Sequence, residues 1–237
     1  MTKRFLVCLF LLLMISSSCS ALEKTPTPTA IPAMEINEIS FPLDSGEMIY
    51  GTIYGSGDPA LILVHQFTYS ASQKDWKRFA RLAVEEGFTV LTLDVPGFGK
   101  TPGDPAVPLW DESVLAAVDY LEGRGQTRIA CLGACTGGTT CLTTADEYEY
   151  IALGLVSTEM PGPDYDYDIL TMPKLFISTE GEYGGDFAAG HQEMYDKSPK
   201  PKEIHVLPGD AHGTDILNSY YGTELIERLL VFLNTIK

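Results

Sequence analysis

Cys135 stands in the stretch "IACLGACTGGTT", residues 129–140, behind Gly133 and Ala134 and ahead of Thr136, Gly137 and Gly138. Small residues on both sides of a reactive one, directly after a β-type run, describe a tight turn that holds one side chain out. A helix opened by such a turn aims its unpaired N–H groups and positive dipole end at that side chain. That setting favours a thiolate and stabilises an oxyanion formed by its attack, so the chemistry suggested is nucleophilic. A thiol nucleophile works with a base, itself oriented by a third group. Of the four histidines, His65 ends a strand and holds a loop, His191 falls in a predicted helix and His205 inside a predicted strand. His212, in "LPGDAHGTD", follows a strand and is flanked by Ala211 and Gly213. Carboxylates stand in "FISTEGEYGGD" at Glu180, Glu182 and Asp186, where the plain alternative makes them solvated loop groups.

The elements that position these groups are legible from periodicity. Two alternating stretches, 35–43 and 47–54, read as strands joined by the turn at Asp44-Ser45-Gly46. Continuous apolar runs at 60–65, 88–94, 127–133, 151–157 and 173–179 read as strands buried on both faces. A further strand covers "KEIHVLPG". Helical spacing marks 73–87, 109–123, 136–147, a segment around 187–195, and a last helix from about Thr214 to Asn234. Strands alternating with helices predict a doubly covered, mostly parallel α/β sheet. Ligands bind such sheets outside the carboxyl ends of the strands, where Cys135 and His212 are expected.

The ends and the composition narrow the possibilities. Residues 1–18 read as an export signal: Lys3 and Arg4, an apolar run from Phe5 to Ile15, then three serines before Cys19. Cys19 resembles the lipid-bearing cysteine of a bacterial lipoprotein, with Ser16 where such sites usually carry Leu; ordinary cleavage after Ala21 is the alternative. Residues 19–33, with "EKTPTPTAIPA", cannot form a helix or ladder and read as an extended tether. Residues 34–237 then form one domain. Its expected location is the extracytoplasmic side of a membrane, held only by the N-terminal lipid. The net charge of −16 repels a phosphate backbone and argues against nucleic acid as a partner. Cys131, Cys135 and Cys141 lie within eleven residues, with no cysteine elsewhere in the domain to pair with. They are therefore read as no disulfide framework, and Cys131 and Cys141 as small buried hydrophobes. Their spacing, with no interleaved histidine, does not suit zinc.

Gly133-Ala134-Cys135-Thr136-Gly137, between strand and helix, resembles the nucleophile elbow of α/β hydrolases. Two further stretches agree with that family. "LVHQFTYS" matches the turn that supplies an oxyanion N–H, here from Gln66 or Phe67, with the Thr136 N–H as the second donor. "LDVPGFGKT", residues 93–101, resembles the glycine-rich turn after the next strand. The resemblance extends from about residue 35 to 237. It implies a triad in chain order nucleophile, acid, histidine: Cys135, an acid after strand 173–179, and His212. Glu182 falls where the acid of related hydrolases usually stands, and Asp186 is the alternative.

The cysteine makes the elbow similar to that of dienelactone hydrolases, in which it belongs to a Cys-Asp-His triad. Gln66 departs from that family's glutamate, which is linked to thiol activation. Ile216 departs from its arginine, which holds a substrate carboxylate. The resemblance therefore implies a carboxylic ester hydrolase acting on small neutral esters, lactones or thioesters, needing no cofactor or metal, as a monomer or weak dimer. Only about fifteen residues, "TEMPGPDYDYDILTM", separate two strands where a lid is usually inserted, so the expected site is open, with Tyr165 and Tyr167 on its rim. Two rivals remain: a binding protein that kept the fold without the chemistry, and an acyltransferase using the same first half-reaction.

Overall fold

The apolar runs of the chain become the centre of one eight-stranded sheet in a computed structural model that describes residues 34–237. The expected signal, Cys19 and tether lie outside the described residues. In chain order the elements are β1 (Ile36–Pro42), β2 (Met48–Tyr54), β3 (Ala60–Val64), α1 (Lys77–Glu85), β4 (Thr89–Asp94), α2 (Trp110–Glu122), β5 (Ile129–Ala134), α3 (Thr136–Thr143), β6 (Leu153–Val156), β7 (Lys174–Thr179), α4 (Asp186–Lys197), β8 (Lys202–Leu207) and α5 (Gly222–Asn234). The strand order is β1-β2-β4-β3-β5-β6-β7-β8. β1 and β2 run antiparallel, β2 pairs antiparallel with β4, and every other pairing is parallel.

Alternation along the central strands divides the apolar side chains between two layers. Ile62, Val64 and Cys131 point toward α2, α3 and α4, where they pack with Trp110, Val114, Leu142 and Met194. Leu61, Leu63 and Leu132 point the other way, against Phe79 and Ala83 of α1 and Leu225, Leu229 and Phe232 of α5. With both faces covered, the one free direction for chemistry is the line of strand ends. The chain reverses direction across the sheet between β3 and β5, so β5 ends at the switch point where a crevice opens.

The expectation fails in detail at two places. The final helix does not run from Thr214. Gly213–Asn218 is a 3-10 turn that stops at extended Ser219, whose hydroxyl donates to the Ile216 carbonyl and accepts from the Tyr221 N–H; α5 starts afresh at Gly222. The break leaves the segment after His212 free to fold against the sheet.

The second correction concerns the cysteines. Cys131 and Cys141 are joined by a disulfide, and among the described residues Cys135 is the one free thiol. The partner sought elsewhere in the chain lies within the same strand-turn-helix unit, because α3 folds back over β5 and brings position 141 above position 131. The bridge staples the helix that begins at Cys135 to the strand that ends there. Closing a short loop of this kind contributes about 2–3 kcal/mol by restricting the unfolded chain. Non-reducing peptide mapping is expected to find Cys131 and Cys141 in one linked peptide. Cys131→Ala/Cys141→Ala is expected to lower unfolding free energy by about that amount, and an unchanged denaturant midpoint would contradict the staple.

Candidate active site

β5 ends in a turn that only small neighbours permit. Cys135 adopts φ 52° and ψ −124°, a conformation that L-residues rarely hold. A Cβ at Gly133 would collide with the backbone of Gly137 and Gly138, and one at Gly137 with the carbonyls of Val64 and His65. Glycine at these positions thus lets α3 close down on β5 and on the end of β3. The Cys135 N–H donates to the Val156 carbonyl on β6 (2.9 Å), and the side chain lies at the floor of the crevice, 7% exposed. Thr136 is the first residue of α3, so its N–H is among those a helix leaves unpaired.

The loop after β8 carries His212 to the thiol, and the turn after β7 carries Glu182 to His212. Nδ1 of His212 lies 3.2 Å from Glu182 Oε2, and the ring lies near enough to Cys135 to feel its thiol and its charge. Burial alone would lower the pKa of His212. The interactions with Cys135 and Glu182, and the charge of both, outweigh burial and push it up to about 9. Glu182 is almost wholly buried, while Asp186 stands exposed at the first residue of α4. Of the two carboxylates weighed in sequence, Glu182 is therefore the one placed against the imidazole.

The turn after β3 is fixed by His65. Its Nδ1 donates to the Gln66 carbonyl (2.8 Å) and its Nε2 accepts from the Val95 N–H (3.2 Å), which assigns a neutral ring whose pKa burial lowers. In a trans peptide the Phe67 N–H points opposite to that Gln66 carbonyl, hence away from His65. The Gln66 side chain turns inward instead, where Oε1 accepts from the Thr214 N–H (2.9 Å). The glycine-rich turn after β4 is held in the same manner. Asp94 accepts from the Gln73 N–H and amide and from the Lys100 N–H, and this pins residues 94–100 beside the crevice.

The rim differs from expectation. Tyr165 donates its hydroxyl to the Leu142 carbonyl near the far end of α3, and Tyr167 packs into the core beneath Lys197 at the far end of α4. Both belong to the opposite end of the sheet, because a crossover into a parallel strand must return to that strand's start. The aromatic groups at the site are others. Phe187 and Tyr183 meet the His212 ring edge-on at centroid distances of 4.6 and 5.1 Å. Phe67 packs on Phe98 and Trp110 on the other side. A hollow of about 180 Å³ opens beside Phe187, between Met160, Gly190, Glu159 and Asp186. Sequence reasoning missed Tyr183 and Phe187, although their proximity to Glu182 was a usable signal. It also missed Ser157, for which no motif speaks.

The profile of the alpha/beta hydrolase fold family matches residues 59–200. The chain belongs to the α/β hydrolase family. Its fold is similar to that of a predicted CIB-like hydrolase from Thermoplasma acidophilum, with a TM-score of 0.72 at 16% identity, over 85% of this chain and 99% of that one. A Pyrococcus furiosus esterase aligns with a TM-score of 0.71 at 17% identity, over 86% and 92% of the two chains. A dienelactone hydrolase from Anabaena variabilis aligns with a TM-score of 0.69 at 13% identity, over 86% and 98%. No curated protein matches in sequence. As in any α/β hydrolase, what is done at the strand ends has to be argued from the side chains there.

Proposed function

We propose that this α/β hydrolase cleaves small neutral carboxylic esters, lactones or thioesters through a thioester formed on Cys135. The observation that carries the reading is the unbroken run of contacts from Cys135 through His212 to Glu182, drawn from three strand ends. His212 takes the proton of Cys135 and becomes the imidazolium. The thiolate attacks the carbonyl carbon, and the C=O electron pair moves onto oxygen, toward the Thr136 and Phe67 N–H groups. Collapse breaks the bond to the alcohol, which leaves with the proton of His212. Water then gives its proton to the neutral imidazole and attacks the thioester. The second collapse expels Cys135 as thiolate and releases the acid. Throughout, Glu182 accepts the Nδ1 proton and holds the imidazole in one orientation.

Two features support a neutral substrate. Ile216 is fully buried at the position where dienelactone hydrolases have their carboxylate-holding arginine, and Glu159 and Asp186 line the hollow beside Phe187. The proposal extends to location. A basic, apolar and then small-residue N-terminus ahead of Cys19, together with a disulfide within the domain, suits an exported and lipid-tethered protein working in an oxidising compartment. Mixing the protein with a short p-nitrophenyl ester is expected to give a burst of p-nitrophenol and an acyl mass increment that maps to Cys135. No product, or an acyl group found elsewhere, would refute the mechanism.

A further inference from the structure

Three non-glycine residues among those described hold a positive φ: Cys135 (52°), Ser157 (47°) and Tyr183 (48°). They lie just beyond β5, β6 and β7, and two belong to the site already described. The third, Ser157, is fully buried. Its hydroxyl donates to Glu182 Oε2 at 2.7 Å and accepts from the Gly213 N–H at 2.9 Å. A hydroxyl has one proton to give, and here it goes to the carboxylate. That bond is shorter than the 3.2 Å from Oε2 to His212, while Oε1 of the same carboxylate has no partner among the described residues. Gly213 directly follows His212. One hydroxyl from a third strand end therefore grips the acid on one side and the backbone of the histidine loop on the other. Backbone strain kept at a buried serine calls for a functional reason of this kind.

We infer that Ser157 is a positioning residue, which fixes Glu182 against His212 and so holds the imidazole in its working orientation toward Cys135. The inference rests on the triad proposed above. Gln66, which accepts from the Thr214 N–H, secures the next residue of the loop from β3 and leaves the acid to Ser157. The groups facing His212 are Cys135 at the start of α3, Glu182 and Tyr183 from the turn after β7, and His191 from α4. Burial pushes the pKa of His191 down to about 3, so it brings no charge at neutral pH. Without the Ser157 hydroxyl, Glu182 is left with the imidazole as its one donor and is free to rotate its oxygens. Its hold on the imidazolium weakens, and the His212 titration moves down from about 9.

The test compares Ser157→Ala, which keeps the strain and loses the hydroxyl, with Ser157→Gly, which loses both. Both are expected to lower kcat by about 10- to 100-fold, the range found when an outer-shell partner that orients a metal ligand is lost, with KM within a factor of two. The His212 imidazole titration, followed by NMR, is expected to move down by about one unit in both. That titration needs no substrate. If the wild type turns over no ester but its His212 titration still depends on Ser157, the proposed reaction fails and the positioning role stands. Wild-type kcat and an unmoved titration in a folded variant would overturn it. Failure of both variants to fold would also overturn it, by assigning Ser157 to stability alone.

Discussion

Alanine at position 135 is expected to reduce kcat for ester hydrolysis by about six orders of magnitude, the scale seen when a nucleophile is removed from a unit that acts together. The loss falls on kcat, because the thiolate is used only once the substrate is bound. Removal of Sγ touches little else. Cys135 makes one weak side-chain hydrogen bond, 3.8 Å to the Thr136 hydroxyl, besides its interaction with His212, and its backbone N–H still donates to Val156. Alanine has the same Cβ at the same strained φ, so the variant is expected to fold, with its denaturant midpoint changed only by the lost interaction with His212. The burst of product disappears with the thiol. A folded variant that keeps activity within tenfold of wild type would remove Cys135 from the reaction.

Glutamine at position 182 is expected to lower kcat about 10³- to 10⁴-fold, as loss of the orienting carboxylate does in a triad. Oε2 now accepts from both Ser157 and Nδ1 of His212. An amide oxygen in that place accepts from the same two donors, and the NH₂ takes the position of Oε1, where it is buried without a partner. The variant also lacks the charge that helps hold His212 at about 9. Because the folded pKa lies above the unfolded value near 6.5, the stability this contact contributes is complete below about pH 6.5 and is lost as pH rises through about 9. The stability difference between wild type and Glu182→Gln, measured by denaturant titration, is therefore expected to shrink across that window. A difference that is flat in pH, with kcat preserved, would deny Glu182 this role.

Much of the arrangement was open to reading from the residues. Strand runs of five to seven apolar residues, the glycines around Cys135 and the small neighbours of His212 are local signals, and the parallel sheet converts each into a place at one edge. The misses share a different cause. Ser157 carries no pattern because its meaning lies in two partners far along the chain, at 182 and 213. Tyr165 and Tyr167 looked like rim residues since they follow a strand that ends at the site. They come late in the crossover, however, and by then the chain has travelled back toward the start of β7. The disulfide was hidden by treating 131, 135 and 141 as a linear cluster, whereas a helix doubling back on its strand makes 131 and 141 neighbours and turns 135 away from both. Glu182 and Asp186 were separable only by the tight turn at Tyr183-Gly184-Gly185, which buries one and exposes the other.

The stapled elbow also decides what survives an oxidising milieu. A thiolate scrambles a disulfide only by reaching one of its sulfurs, and both are buried, Cys131 at 1% exposure and Cys141 at 0%. Along α3 the chain climbs about 9 Å from position 135 to 141, and along β5 it covers about 13 Å from 131 to 135. The folded protein thus keeps a disulfide and a free thiol side by side in sequence, with no route between them. Unfolding removes that barrier, and three sulfurs within eleven residues can then exchange partners. Heat inactivation in air becomes a one-way loss, which a mild thiol turns back into a reversible one.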